Sequence, residues 1–403
     1  MCISVFNFLR QKIFINPTFW SGTLLFLVAL MIFNRFFFEV PFSLIEGSDF
    51  LHFVAPAQTV REGKGYLLYD VSTNFQVQKT LLGPELRTSV LTFRNLPFVT
   101  LIFLPFTFLP LLTALRLFGV INIVLILFTT VFLRKYISKT PTIYLFTILF
   151  TFIPIIETLK NGQLSIFLTL LISVIYIFLI RKKDLWVGVV TSLLLIKTQF
   201  VIFFPFLLLI SKDKRTFFLG YLWGVLIIFL ASSLIAGPSF WLHYPKYLLE
   251  TEGPKFGSRV EELFTLYAFF QQIGIEKLAS LILNGILYGV SVMLFKKNYK
   301  NAGFNNSFIA LTLFSLSFSM HILLHDLSIL TILLFILTSR LILVARDGDT
   351  FIKNLFFLVV LYLVPILAFR ISAPYLSIVL FGTGFYFLYN KTLKYKDEAV
   401  TLT

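Results

Sequence analysis

Apolar runs recur along the whole chain, and they leave few folds open to it. They lie near 19–38, 111–133, 141–157, 164–180, 217–236, 278–295, 307–323, 327–344, 351–369 and 374–389. A helix needs about 20 apolar residues to cross the hydrocarbon core of a bilayer. Backbone surrounded by lipid must also bond to itself, so such runs are expected as helices. Two shorter runs, 185–196 and 200–210, flank Lys197-Thr198-Gln199 and are expected as a pair of half-helices. Residues 95–110 carry Pro97, Pro105 and Pro110 and read as an interfacial or re-entrant piece. Only 13% of the residues are charged, against about 25% in soluble domains. This excludes a soluble enzyme and a disordered tail protein. The single Cys2 excludes a disulfide scaffold. The expectation is an all-α polytopic membrane protein of about 10–12 helices, forming one membrane domain over 1–403.

The net charge of +15 is unevenly placed. With these spans, Arg10, Lys12, Arg134, Lys135, Lys139, Arg181, Lys182, Lys183, Lys212, Lys214, Arg215, Lys296, Lys297, Lys300, Arg340, Arg346, Lys353, Lys391, Lys394 and Lys396 share one side. That side holds 20 basic and 6 acidic residues, whereas the rest of the chain holds 14 and 13. The positive-inside rule makes it cytoplasmic and places both termini there. The basic charge is thus read as an orientation signal and a contact for membrane lipids, not as a nucleic-acid patch. The first span is long and lacks a small-residue cleavage site, so it is expected to remain as an anchor.

The same topology leaves two longer extracytoplasmic loops, 39–110 and 237–277. Long connections on one face point to function there. No phosphate-cradling Gly-x-x-x-x-Gly-Lys-Ser/Thr loop is present, which disfavours nucleotide chemistry. In the first loop, Glu46-Gly47-Ser48-Asp49-Phe50 puts a carboxylate near the bilayer surface. Partial loss of hydration there suits a general base. The alternative is that Ser48 or Asp49 caps a helix over 50–62. In the second outer turn, Lys160 and Gln163 flank Asn161-Gly162 and are candidates to bind a phosphate or a sugar. The plainer reading is a simple turn. Lys197 lies between two half-helices and is either a site residue or a snorkelling lysine. His321 and His325 are four apart and would share a helix face. A zinc site would need further ligands, and position 322 is Ile, not the Glu of zincins. His325-Asp326 is therefore read as suited to proton transfer or a sugar contact, or else to capping a helix end. No metal ligand set or cofactor is assigned, and metal dependence is left open.

Taken in order, these segments resemble glycosyltransferase family 87, the polyprenol-phosphate-mannose-dependent enzymes of C-type multispan fold. The resemblance rests on Gly47-Ser48-Asp49-Phe50, then Glu62-Gly63-Lys64-Gly65 with Leu68-Tyr69-Asp70, then Arg94-Asn95-Leu96-Pro97 with Leu104 to Pro110. It continues through Gly162-Gln163, Lys197-Thr198-Gln199 and Ser319 to Leu327. Thr198 and Met320 stand where the family usually has proline, and Leu96 where a second proline is usual. The resemblance implies inverting transfer of a hexose, with mannose expected, from a polyprenyl-phosphate sugar donor. The acceptor would be a lipid or cell-envelope glycan at the outer face of the cell membrane. It further implies Asp49 as base, assisted by His325. Lys197, Lys160 and Arg94 are then candidates for the departing phosphate. Gln163, His321, Asp326 and Tyr69 complete the expected substrate-binding set. The rival readings are a polysaccharide polymerase or ligase, for which His243, Lys246, Lys255 and Arg259 of the second long loop are available, and a transporter of lipid-linked substrates.

Overall fold

Residues 20–25, 27–28, 31, 48–83, 91–137, 140–251, 259–344 and 348–390 are described by a computed structural model. Every regular element among them is a helix. The expected first span, 19–38, lies largely outside the described residues, as do Cys2, Gly47 and the two chain ends. The first loop contributes α1 (Asp49–Arg61), α2 (Val71–Leu82) and the short, proline-punctuated α3 (Pro97–Phe108). There follow α4 (Leu111–Ile137), α5 (Thr142–Thr151), α6 (Ile153–Asn161), α7 (Ser165–Ile180), α8 (Asp184–Ile196), α9 (Thr198–Ile210) and α10 (Lys214–Ala236). The second long loop holds α11 (Phe240–Glu250) and α12 (Leu266–Gln272). The chain then runs through α13 (Lys277–Ala302), α14 (Phe304–Phe318), α15 (Leu324–Leu343), α16 (Gly348–Leu367) and α17 (Ala373–Tyr389).

Five of these, α4, α10, α13, α15 and α16, are long and apolar enough to cross a membrane, and the bent pair α5–α6 makes a sixth. The protein is a multi-pass membrane protein. The remaining apolar helices are shorter than the sequence spans implied. Their place in the bundle explains this. α14 is buried from Asn306 to Phe318, and α7 buries 10 of its 16 residues. By contrast, 22% of the apolar window is buried for α10 and for α13, which present Leu, Ile and Trp outward. A helix wrapped in protein need not match the bilayer, because neighbours rather than lipid meet its ends.

The expected straight span at 141–157 is instead bent by 60° between α5 and α6. Phe152 is extended at the break, and Pro154 occupies the first turn of α6. Proline lacks the N–H that would continue the ladder, so the helix restarts in a new direction. The two half-helices around Lys197 do appear, as α8 and α9, with Lys197 itself extended (φ −121°, ψ 107°).

Two ends of the bundle differ in kind. α8 begins at Asp184, beside Lys182, Lys212, Lys214 and Arg215. It finishes next to Lys197 about 20 Å away. α8 and α10 run together with backbone in close approach. A Cβ on Gly188 would fall on the Phe217 carbonyl and lie 2.6 Å from the Tyr221 nitrogen. A Gly188→Leu substitution is therefore expected to destabilise the protein by about 1–3 kcal/mol through overpacking. Gly285→Leu, on the open face of α13, should leave the melting temperature of the purified protein unchanged or slightly higher. Thermal denaturation in detergent checks both.

Candidate active site

Five separate segments meet at the end of the bundle away from the basic loops. The first is the N-terminus of α1. Ser48 is its N-cap residue but makes no side-chain cap bond, and Asp49 is the first helical residue. The capping alternative for Asp49 therefore gives way: no hydrogen bond or ion pair among the described residues engages its carboxylate. α1 is held rigidly from behind by aromatic rings. Phe53 stacks on Phe103 at 4.6 Å, and Phe50 lies 6.0 Å from Phe103 and 5.5 Å from Phe118. Centroid separations of this size are those of favourable aromatic pairs.

The second segment is the extended stretch before α3. Tyr69 Oη donates to the Asn95 carbonyl at 2.7 Å, and Tyr244 Oη donates to the Arg94 carbonyl at 2.6 Å. Arg94 Nη2 donates to the Thr251 carbonyl, so both long loops grip this stretch. Asn95 Nδ2 donates to the Ile196 carbonyl at 2.6 Å, which ties it to the end of α8.

The third segment is the turn between α6 and α7. Gly162 is left-handed (φ 64°), and the Gln163 N–H reaches back to the Thr158 carbonyl at 3.1 Å. This is a helix-ending geometry that favours glycine. A Cβ at Gly162 would also lie 2.6 Å from Phe50 Cβ, so α1 packs where only hydrogen fits.

The fourth and fifth segments are the α8–α9 break and the start of α15. Lys197 Nζ lies 2.5 Å from Asp326 Oδ1, with both side chains buried. Ser165 Oγ donates to the same oxygen at 2.8 Å, and the Leu323 N–H donates to Oδ2 at 3.2 Å. His325 Nε2 stands 3.6 Å from Oδ2. Thr158 Oγ1 donates to the His325 carbonyl at 3.2 Å, and Gln199 Nε2 to the His321 carbonyl at 3.1 Å.

Between these segments lies a cavity of about 880 Å³. Asp49, His52, Arg94, Asn95, Gln163, Lys197, Gln199, His321, His325 and Asp326 are among its polar residues. Val201, Ile202, Phe204, Pro205, Leu248 and Phe318 are among its apolar residues, and Lys277 is a further cation. Burial pushes the His52 imidazole well down from its ordinary range, against the nearby Asp49 carboxylate.

Seven residues singled out from sequence thus meet in one cavity: Asp49, Arg94, Gln163, Lys197, His321, His325 and Asp326. Two do not line it. Lys160 is paired with Glu157 at 3.5 Å on its own helix. Tyr69 sits behind the wall, stacked on Phe240 at 5.3 Å, and is tied to the site by its bond to the Asn95 carbonyl. Asp326 is in place, but its oxygens are taken up by protein donors. His321 and His325 do not share a helix face. α14 ends at Phe318, residues 319–323 are non-helical, and His325 belongs to the first, 3₁₀ turn of α15. Among the described residues no group of three or more His, Cys, Asp and Glu is placed to hold a metal ion. Sequence reading passed over His52 and Asn95 as site residues. The spacing of His52, three after Asp49 in a helical stretch, was the available signal.

The chain matches the family model of glycosyltransferase family 87 over residues 93–319. It belongs to that family. The protein is therefore a membrane glycosyltransferase, acting between a sugar donor and a glycan acceptor. No curated protein and no solved structure matches it. The matched stretch carries Arg94, Asn95, Gln163, Lys197 and Gln199 of the cavity, while Asp49 lies before it and His325 after it.

Removing one member of a buried ion pair leaves a charge without a partner, at a cost of about 3–5 kcal/mol. Asp326→Leu alone should therefore lower the melting temperature strongly. Lys197→Met with Asp326→Leu should recover most of that loss. Thermal denaturation of the purified variants checks this, and an Asp326→Leu protein as stable as wild type would contradict the pairing.

Proposed function

We propose that this member of glycosyltransferase family 87 transfers a hexose, mannose by its motif resemblance, from a polyprenyl-phosphate carrier to a hydroxyl of a lipid-linked or cell-envelope glycan. The reaction takes place at the extracytoplasmic face of the cell membrane. The basic loops at the opposite end of the bundle support that orientation and cytoplasmic termini. The observation that carries the reading is the composition of the cavity. An unengaged carboxylate, Asp49, and cationic side chains share a space with a long apolar wall. A polar sugar phosphate and an isoprenoid tail need those two surfaces together.

In the reaction, the acceptor oxygen attacks the anomeric carbon and a new C–O bond forms. The bond from that carbon to the phosphate oxygen breaks, and its electron pair leaves with polyprenyl monophosphate. The hydroxyl proton passes to Asp49, with His325 close by. Arg94, Lys197 and Lys277 line the cavity for the phosphate. Lys197 is already neutralised by Asp326, so Lys277 is a cation of the lining that adds positive charge for the leaving group. Double displacement would need a second carboxylate as nucleophile. Asp326, the other carboxylate among the described residues of the lining, is consumed by Lys197, Ser165 and the Leu323 N–H. This favours a single displacement with inversion.

Asp49→Asn keeps the shape and removes the proton acceptor. Transfer from polyprenyl-phosphate mannose to octyl mannoside should fall by about 10²–10⁴-fold, while the variant purifies and melts like wild type. Wild-type turnover in Asp49→Asn would remove Asp49 from the mechanism. The lipid product separates the rivals: monophosphate marks this reaction, diphosphate a ligase, and neither a transporter.

A further inference from the structure

Asp49 and His52 lie three residues apart on α1, so one face of that helix turns both toward the cavity. The displacement uses Asp49 and gives His52 no task. The hydrogen bonds around His52 define what it can do. Its Nε2 lies 3.3 Å from Asn95 Oδ1. The Asn95 amide has one orientation open to it, because the Ile196 carbonyl 2.6 Å away demands a donor. The NH₂ group must point there, and Oδ1 is thereby turned toward His52. An amide oxygen only accepts, so the proton sits on His52 Nε2. In the neutral ring, Nδ1 then carries a lone pair. No described residue hydrogen-bonds to that nitrogen, and the ring lines the cavity. The groups that face the ring are Asp49 on its own helix, Asn95 and Arg94 from the stretch before α3, and Lys197 from the α8–α9 break. Burial outweighs the carboxylate among them and keeps the ring uncharged at pH 7.

We propose that His52, through its bare Nδ1, binds a second hydroxyl of the acceptor sugar, and that Asn95 is a positioning residue that holds the ring in this tautomer. The proposal rests on the transfer reaction above and adds how its acceptor is recognised. Cβ atoms three apart on a helix stand about 5–6 Å from one another, a spacing that one pyranose ring can bridge with two of its hydroxyls. The reacting hydroxyl faces Asp49, and a second hydroxyl donates to Nδ1. The acceptor is therefore a polyol in which a hydroxyl beyond the reacting one is read. A site built to bond a hydroxyl discriminates strongly against the analogue that lacks it.

Two measurements test this. ¹⁵N spectra of histidine-labelled wild-type protein, with the His52 signals assigned by their loss in His52→Phe, report the tautomer directly. A bare Nδ1 and a protonated Nε2 down to pH 6 are expected, with that pattern lost in Asn95→Ala. A protonated Nδ1, an imidazolium at pH 6, or an unchanged pattern in Asn95→Ala would overturn the assignment. The second measurement compares octyl mannoside with its monodeoxy analogues as acceptors from polyprenyl-phosphate mannose. In wild type, one deoxy position other than the reacting one should lower kcat/KM at least 10-fold, chiefly through KM. His52→Phe should erase that preference, and Asn95→Ala should weaken it. A preference that survives in His52→Phe would overturn the proposal. If no transfer from polyprenyl-phosphate mannose is seen at all, the reaction is wrong and the acceptor contact falls with it. The spectra still decide the tautomer by themselves.

Discussion

A buried lysine in a membrane bundle must meet a counter-charge, and in this protein that demand organises the site. Lys197 interrupts an apolar stretch, and its ammonium is met by Asp326 at 2.5 Å. Asp326 is in turn bonded by Ser165 at the head of α7 and by the Leu323 N–H ahead of α15. One carboxylate thus ties together a helix break, a helix start and an extended stretch. A buried pair is weak evidence of net stability, because desolvation offsets the Coulomb attraction. Its value here is in specifying which three segments meet. It also fixes part of the electrostatics of the cavity, because the charges of Lys197 and Asp326 cancel there.

The architecture around the pair follows from the same solvent argument. Irregular backbone at membrane depth is tolerated where protein or a water-filled space covers it. The break at Lys197 and the non-helical residues 320–323 lie against the cavity and behind other helices. α4, α10, α13 and α16 keep their full length and turn most of their residues outward. The short and broken helices can therefore carry chemistry while these four face outward. The separation of basic loops at one end from the cavity at the other fits a family 87 glycosyltransferase whose substrates meet in one leaflet.

Much of this was legible in the residues. Three prolines within 97–110 foretold a piece unlike a span, and α3 is a short mixed helix. Lys197-Thr198-Gln199 between two short apolar runs foretold the α8–α9 break. Other readings failed for identifiable reasons. The run 141–157 looked continuous by hydropathy, yet Pro154 sits where its missing N–H bends the chain by 60°. His321 and His325 have helical spacing, but the helix has already ended at Phe318. Lys160 is drawn to Glu157 on its own helix. Tyr69 serves the site from behind, through a carbonyl 26 residues away in sequence.

By itself, the order of the amino acids determined that the chain is helical, lives in a bilayer and is polarised in charge from one end to the other. Backbone bonding in lipid and local hydropathy act over a few residues and can be read in a line. Only the tertiary structure decided which polar groups face one another. Asn95 reaches His52 across 43 residues and Ile196 across 101, and Lys197 reaches Asp326 across 129. Such contacts depend on how whole helices pack, and packing is settled by the summed fit of many side chains rather than by any local signal.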